Sequence, residues 1–205
     1  MKITIVIDMQ NDFIDGVLGS ADARRITPLV ADEIRKGTSD VYVFTQDVHG
    51  KQKKRVTVRL DATDSIEAKT LPGHCISGTR GCDIAAPIER EILNLQDKGK
   101  AYVAKFAKTT FCDPKWFPEF LMVCKNRKAT GNTSSICGRE IDNSDEIEIF
   151  GLCTDICVIS NALVLRSAFP STPITVRSSL CAGVTPEKHN AALEVMRSCL
   201  INVVE

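Results

Sequence analysis

The chain has 205 residues, of which 43% are hydrophobic, and we expect a single domain over residues 1–205 with one substantial core. Its 26 basic and 26 acidic side chains give a formal net charge of zero, which argues against a surface for nucleic acid or for anionic membranes. A small neutral molecule is the better candidate for a partner, and no stretch of sequence approaches the length of a membrane-spanning helix.

The N-terminus and the cysteines predict the compartment. The apolar run in residues 1–8 is too short for a signal peptide and leads directly into the fold, so we expect a cytoplasmic protein. Nine cysteines, an odd number without a secretion signal, favour free thiols in a reducing compartment. The sequence lacks the closely spaced pair of CxxC motifs that is typical of structural zinc sites.

Apolar segments rich in β-branched residues alternate along the chain with segments of helical periodicity. This alternation predicts a three-layer α/β/α fold with a mostly parallel central sheet and an active site at the carboxyl ends of its strands. Thr185 and Pro186 provide the last helix with its N-cap and its first residue. The predicted strands are residues 3–7, 41–45, 101–104, 147–150, 174–176 and 201–204, and the predicted helices are residues 26–36, 84–95, 155–168 and 186–199.

Two segments interrupt this alternation. Residues 50–68 are polar and basic at their start, and we predict a solvated loop there. Residues 125–145 are rich in Asn, Ser, Thr and Gly, which is typical of an excursion between elements or of an oligomer contact. We expect a homo-oligomer.

The segment 150–158 places a thiol where a strand gives way to a helix. Residues 147–150 predict a short buried strand. Apolar residues at helical spacing follow in residues 155–168, and Thr154 or Asp155 is available as the N-cap of this predicted helix. Cys157 then lies in the first turn, where unpaired N–H groups and the helix dipole lower the pKa of a thiol. We therefore predict that Cys157 is an acyl-transfer nucleophile. The alternative is a buried cysteine that acts only as a small hydrophobe.

Two charged residues stand at the ends of other predicted strands. Asp8 ends the first strand, and a carboxylate in a hydrophobic setting has a raised pKa and can transfer a proton, although it can also cap a turn. Lys105 follows the strand 101–104, and an ammonium near Cys157 and Asp8 would favour the thiolate. A lysine in such a position can instead be an ordinary surface residue.

Asp47 and His49 follow the second predicted strand, and His74 belongs to the segment 71–75. In extended backbone, residues two apart share a face, so Asp47 and His49 can converge on one cation. Two imidazoles and a carboxylate suit Zn²⁺, Fe²⁺ or Mn²⁺ with open positions for water and substrate, which predicts a divalent metal ion. A lone Asp-x-His pair also arises by chance. The third histidine, His189, is predicted to be a surface residue.

Taken together, these motifs resemble those of the isochorismatase-like superfamily of cysteine hydrolases and, within it, those of the nicotinamidases. The resemblance covers essentially the whole chain. The Pro-x-His-Cys-x-x-Gly-Thr motif of residues 72–79 is the part that is typical of nicotinamidases. The other segments that carry the resemblance are 5–13, 45–49, 151–158 and 181–186, together with Lys105 and Phe111.

The resemblance implies a role for each residue near the predicted nucleophile. Cys157 would attack the substrate, Asp8 would be the general acid and base, and Lys105 would be the cation that tunes both. It also implies a cis peptide bond before Cys153, which would turn the N–H of Cys153 towards the substrate carbonyl. With the N–H of Cys157, this group would form an oxyanion hole.

The resemblance also implies that Asp47, His49 and His74 hold the metal, which binds the pyridine nitrogen of the substrate and places its carboxamide against the thiolate. Phe13 and Leu71 are the predicted substrate-binding residues.

The chain departs from the nicotinamidase pattern at two positions. Some nicotinamidases carry a further histidine in the loop after the Asp-x-His motif, where this chain has Arg55 or its neighbours. Many have an aromatic residue that packs on the pyridine ring where this chain has Leu71. Phe13, Trp116 or Phe117 would then supply the aromatic surface.

These features predict an amidohydrolase that cleaves nicotinamide to nicotinate and ammonia through a thioester on Cys157. One alternative is a related hydrolase of small amides or ureido compounds in the same superfamily, which a metal-free purified protein would favour. Another is a non-catalytic metal- or ligand-binding α/β protein, which an unreactive Cys157 thiol would favour.

Overall fold

The computed structural model describes residues 1–50, 66–113, 141 and 144–205. The predicted loop at 50–68 and the predicted excursion at 125–145 fall largely outside these residues, as do Arg55, Trp116 and Phe117. Within the described part of the chain, no helix combines the length and the apolar character needed to cross a bilayer.

Strands and helices alternate in the described residues as the sequence predicts. The strands are β1 (Lys2–Ile7), β2 (Val41–Asp47), β3 (Tyr102–Lys108), β4 (Glu146–Leu152), β5 (Ile174–Ala182) and β6 (Asn202–Val204). The helices are α1 (Asn11–Ile14), α2 (Ala21–Lys36), α3 (Ile66–Thr70), α4 (Ala86–Lys98), α5 (Ile159–Ala168) and α6 (Pro186–Ser198). A 3₁₀ turn spans Arg80–Cys82 and a π-helical turn spans Thr154–Val158.

Local chemistry explains where helix α2 begins and ends and where helix α6 begins. The Ser20 hydroxyl accepts a hydrogen bond from the N–H of Ala23 at the start of α2, and Gly37 ends this helix in the left-handed conformation that glycine adopts readily. The predicted cap of α6 is confirmed, because the Thr185 hydroxyl accepts from the N–H of Lys188.

The six strands form one sheet in the order β3-β2-β1-β4-β5-β6, and every neighbouring pair is parallel. The predicted three-layer architecture with a parallel sheet is confirmed. The chain moves outwards from β1 to β3 in one direction and from β4 to β6 in the other. Right-handed crossovers therefore place α2 and α4 on one face of the sheet and α5 and α6 on the other.

Strands β1 and β4 are neighbours at the point where the strand order reverses, and their register pairs Ile7 with Gly151. Gly151 has a φ of 129°, and a Cβ atom there would overlap the carbonyl oxygen of Ile7, so only glycine allows this approach. Parallel sheets of this kind bind ligands outside the carboxyl ends of the strands at such a reversal. Asp8 and Cys153 are the residues that follow β1 and β4 there.

Candidate active site

The turn that carries Cys157 begins directly after β4. Residues Thr154–Val158 form a π-helical turn, and the N-cap position is Cys153, whose side chain makes no capping hydrogen bond. The prediction that Thr154 or Asp155 is the cap is therefore wrong. Both side chains anchor the turn to the start of α6 instead: the Thr154 hydroxyl lies 2.8 Å from Nδ1 of His189, and Asp155 accepts from the N–H of Val184 at 2.9 Å.

Cys153 and Cys157 both border the space above the sheet. The peptide bond between Leu152 and Cys153 is cis, as the resemblance implies. The Cys157 side chain is buried, with 3% of the residue exposed. His189, predicted to be a surface residue, is half-buried and belongs to the support of this turn.

The lysine beside the predicted nucleophile, Cys157, is Lys108. Its ammonium lies 2.6 Å from Oδ2 of Asp8 and 3.7 Å from Sγ of Cys157. The prediction that Lys105 lies near these two groups is wrong, because Lys105 is exposed and pairs with Glu89 at 2.7 Å. Strand β3 continues to Lys108, so Lys105 lies in mid-strand, and two residues three apart on a strand point to opposite faces.

Asp8 and Lys108 form a buried ion pair in which each group changes the pKa of the other. Burial raises the pKa of Asp8 above its ordinary value, and the opposing effect of the Lys108 charge is smaller. Burial also disfavours the charge of Lys108, but the nearby carboxylates Asp8 and Asp47 outweigh it and raise the pKa of Lys108 well above its ordinary value. The Thr45 hydroxyl donates to the second oxygen of Asp8 at 2.6 Å, which fixes the carboxyl group.

The expectation that the start of a helix lowers the pKa of Cys157 is wrong. Burial raises the pKa of Cys157 well above its ordinary value, and the attraction of Lys108 offsets only part of this effect. The carboxylates of Asp8 and Asp47 add to the rise, because a thiolate would be a further negative charge beside them. At neutral pH the thiol therefore keeps its proton, and the neighbouring Asp8 carboxylate is the group able to accept it.

The three predicted metal ligands meet at the end of β2, and a fourth side chain joins them. Suitable ligand atoms of Asp47, His49, Glu67 and His74 all lie within 4.8 Å of one another. Nε2 of His49 lies 2.9 Å from Oδ2 of Asp47, and Nε2 of His74 lies 3.6 Å from Oε1 of Glu67. The fourth side chain, Glu67, is not among the predicted ligands; it lies at the end of the segment predicted to be a loop and belongs to the short helix α3.

These four residues fit a divalent metal ion. A tetrahedral zinc site with bonds of about 2.0–2.2 Å places its ligand atoms about 3.3–3.6 Å apart, close to the observed separations. Oε1 of Glu67, which lies 3.7 Å from Nε2 of His49, is buried without a hydrogen bond of normal length, as expected of an atom that needs a cation. Nδ1 of His74 lies 2.9 Å from the carbonyl oxygen of Pro72, which leaves Nε2 to face the cluster.

A cavity of about 370 Å³ connects the Cys157 thiol with this cluster. The predicted substrate-binding residues Phe13 and Leu71 both line it, and the Phe13 ring lies 5.5 Å from that of His74. Its wall is mostly aliphatic and aromatic, so it suits a small ring with few polar groups. The lining residues are Phe13, Val17, Leu18, Gly19, Ser20, Asp47, Glu67, Leu71, His74, Phe111, Cys153, Ile156, Cys157, Val184 and Lys188.

Comparison with known proteins gives a consistent result. No family model matches the chain. The nicotinamidase/pyrazinamidase of Mycobacterium tuberculosis is 26% identical over 211 residues, an alignment that covers 100% of this chain and 98% of that protein. The motif-based resemblance to nicotinamidases is therefore confirmed over the full length of the chain.

Solved structures share the fold. The nicotinamidase/pyrazinamidase from Bacillus subtilis superimposes with a TM-score of 0.72 at 23% identity, covering 100% of this chain and 99% of that chain. The pyrazinamidase of Pyrococcus horikoshii, solved in complex with zinc, superimposes with a TM-score of 0.65 at 21% identity, covering 100% and 98%. Together with the curated relative, these likenesses indicate a nicotinamidase-like amidohydrolase.

Proposed function

We propose that this protein is a cysteine amidohydrolase that converts nicotinamide to nicotinate and ammonia through a thioester on Cys157. The observation that carries the proposal is the contact of one buried ammonium, Lys108, with both Asp8 and Cys157. Cys157 lines a cavity that also reaches a cluster of metal-ligand type, and the other two groups lie behind it. A nucleophile that faces a cavity and contacts a cation paired with a base supports catalysis rather than binding alone.

In the first step, Asp8 accepts the proton of the Cys157 thiol as the sulfur attacks the carboxamide carbon. The raised pKa of Asp8 suits this exchange, because it brings the proton affinity of the carboxylate closer to that of the thiol. The Lys108 ammonium stabilises the developing thiolate by its charge. Protonated Asp8 then donates this proton to the departing nitrogen, the C–N bond breaks, and ammonia leaves.

The negative charge that forms on the substrate oxygen would rest on the backbone N–H groups of Cys153 and Cys157. Such donors are fixed before the reaction begins, so they stabilise the tetrahedral intermediate without reorganisation. In the second half of the reaction, Asp8 takes a proton from water, whose oxygen attacks the thioester. The C–S bond breaks, protonated Asp8 returns its proton to the thiolate, and the nicotinic acid leaves and gives its own proton to solvent to become nicotinate.

Asp47, His49, Glu67 and His74 are the residues that would hold a divalent metal ion, which would offer a coordination position to the pyridine nitrogen of nicotinamide. The ring would then lie beside Phe13, with the carboxamide directed to Cys157. The zinc complex of the Pyrococcus horikoshii pyrazinamidase supports zinc as the first metal to test. The chemistry of two imidazoles and two carboxylates is also compatible with Fe²⁺ or Mn²⁺.

The deciding experiment is an assay of ammonia release from nicotinamide and a panel of other amides, with and without a chelator. We expect nicotinamide to be hydrolysed by the zinc-loaded protein, the activity to disappear with the chelator, and acylated Cys157 to be trapped and seen by mass spectrometry after rapid quenching. A protein that binds zinc and nicotinamide but never releases ammonia would contradict the proposal.

A second candidate is a related small-amide or ureido hydrolase. Leu71 favours it, because an aliphatic side chain in the wall gives a weaker preference for a flat aromatic ring than an aromatic side chain would. The same panel separates the two: a non-aromatic amide or ureido compound turned over faster than nicotinamide, with no loss of activity in the chelator, would favour this candidate.

A further inference from the structure

The segment that follows Asp8, residues 9–12, contacts the backbone of the candidate metal ligands. Gln10 in this segment is completely buried, and its side-chain amide makes three hydrogen bonds of 2.7 Å. Nε2 donates to the carbonyl oxygens of Asp47 and Cys82, and Oε1 accepts from the N–H of Asp47. One side chain therefore binds both backbone polar groups of a candidate metal ligand.

Asp12, two residues further on, supports the other side of the cluster. Its Oδ2 accepts a hydrogen bond of 2.7 Å from the N–H of Cys75, which directly follows His74. Cys75 has a φ of 47°, a left-handed conformation that residues other than glycine rarely adopt. The carbonyl of Cys75 in turn accepts from the N–H of His49 at 2.9 Å. The Asp12 carboxylate thus holds the backbone that joins the two imidazoles.

The space around Asp12 is shaped for its carboxylate. A Cβ atom on Gly81 would overlap the Asp12 carboxylate, so the absence of a side chain at Gly81 leaves the slot that Asp12 fills. Neither Gln10 nor Asp12 lines the active-site cavity. Any effect of these two side chains on metal or substrate must therefore pass through the residues that they hold.

We propose that Gln10 and Asp12 are positioning residues of the metal site. Gln10 fixes the backbone of Asp47, and Asp12 fixes the segment of His74 against that of His49. This inference rests on the proposed function, because it assumes that the cluster holds a metal ion. Side chains that orient metal ligands set the metal affinity, since the free ligands must already have the geometry that the ion requires.

The test compares zinc affinity, measured by competition with a chromophoric chelator, in four variants of the full chain. Gln10→Glu keeps the size and the acceptor but loses both donated hydrogen bonds, and Asp12→Ala loses the acceptor of Cys75. We expect each to weaken zinc binding about 10- to 100-fold. Asp12→Asn keeps an acceptor oxygen and should restore most of the affinity. Asn11→Ala is the matched control between the two positions: it removes a side-chain hydrogen bond of 2.7 Å to the carbonyl oxygen of Arg80, which is not part of the metal cluster, and should bind zinc like the wild type.

Two further measurements separate positioning from general damage to the fold. The absorption spectrum of the Co²⁺-loaded protein reports ligand geometry, and we expect it to change in Gln10→Glu and in Asp12→Ala but not in Asn11→Ala. Thermal unfolding in excess chelator reports the stability of the fold without metal. If Gln10→Glu does not fold, the comparison of Asp12→Ala with Asp12→Asn decides whether the positioning role holds, because only Asp12→Asn keeps a side-chain oxygen that can accept from the N–H of Cys75.

The outcomes distinguish this inference from the proposed function. If the wild type binds zinc and the Asp12→Ala and Gln10→Glu variants bind it with unchanged affinity and an unchanged Co²⁺ spectrum, the positioning role is overturned while the proposed function stands. If Asn11→Ala weakened zinc binding as much as the other variants do, the positioning role would be overturned as well, because any change in residues 10–12 would then have the same effect. A wild-type protein that binds no divalent ion would overturn both.

Discussion

The ammonium of Lys108 lies 2.6 Å from Oδ2 of Asp8, and both side chains are almost completely buried. The register of the sheet brings the pair together: Lys108 stands opposite Asp47 at the end of β2, and β2 is the neighbour of β1, whose last residue precedes Asp8. The same ammonium reaches Cys157, so a single cation contacts both the proposed base and the proposed nucleophile.

Replacing Lys108 by methionine should lower kcat by at least about 100-fold, since the developing thiolate loses its stabilising charge. It should also lower stability by about 3–5 kcal/mol, because Asp8 is left buried without its partner. Lys105→Met is the matched control on the same strand, and should leave kcat close to the wild-type value because it removes only an exposed ion pair with Glu89. Steady-state kinetics and thermal unfolding measure both effects; a larger loss of kcat in Lys105→Met would contradict the assignment.

Cys157→Ala should abolish turnover while the fold stays intact, because the covalent route has no substitute nucleophile. Cys153→Ala should have a mild effect, since only the backbone of Cys153 is expected to take part. Ammonia release and circular dichroism provide the comparison. Equal losses in the two variants, or retained activity in Cys157→Ala, would show that the nucleophile lies elsewhere.

Alkylation of Cys157 by iodoacetamide should be slow at neutral pH and should accelerate with rising pH. Because the pKa of Cys157 is raised, slow alkylation at neutral pH is expected of a catalytic thiol as well as of an inert one, so the trapped acyl-enzyme, and not this rate, separates the two alternatives. The thiolate is the reactive form, and the pKa of Cys157 lies well above its ordinary value, so the thiolate fraction grows about tenfold for each pH unit below that pKa. Mass spectrometry of the Cys157 peptide after timed quenching measures the rate. Rapid alkylation that does not change between pH 6 and pH 8 would mean that the thiol is already ionised at neutral pH.

Glu67→Gln should weaken metal binding and lower nicotinamide hydrolysis in parallel, because an amide is a much poorer ligand than a carboxylate. Glu89→Gln removes a carboxylate outside the cavity and serves as the control. Zinc affinity by chelator competition and ammonia release at a fixed, limiting concentration of free zinc are the two readouts. If Glu67→Gln bound zinc as tightly as Glu89→Gln, Glu67 would not be a ligand.

Zinc affinity should increase with pH over the range 7 to 9. Burial disfavours a charge on His74, but its contacts with the carboxylates of Asp47 and Glu67 outweigh this and raise the pKa of His74 to about 10. A metal must displace this proton, so below the pKa the affinity should rise by about tenfold per pH unit. The affinity measured at pH 7, 8 and 9 in non-coordinating buffers tests the sign and the slope; an affinity independent of pH would mean that His74 is neutral or is not a ligand.

Much of the architecture could be predicted because the periodicity of the chain is regular. The buried strands β1 and β2 contain nearly continuous apolar runs, which is typical of a parallel sheet covered on both faces. The end of β3 could not be predicted in this way. Most of its residues are only partly buried and Lys105 is exposed, so this first lysine resembles the end of the strand although the backbone continues for three more residues.

The candidate site could be predicted wherever a motif fixes both residue type and position, as for Asp8, Cys157 and His74. Glu67 carries no such signal, because a single carboxylate in a polar segment has the composition of a solvated loop. Only the three-dimensional structure brings it within 3.7 Å of His49. The ionisation state of Cys157 was mispredicted for a different reason: a local helix start favours the thiolate, but burial between two carboxylates acts in the opposite direction and is larger.

Gly151 does not line the cavity, yet the distance between Asp8 and the turn that carries Cys157 depends on it. Adding one methyl group would force β4 away from the Ile7 carbonyl, and with it the turn of Cys157 away from Asp8. A survey of inactivating substitutions would then find a sensitive position inside the sheet, remote from any bound molecule. Loss of activity there would reflect a widened gap between proton donor and acceptor rather than a lost chemical group.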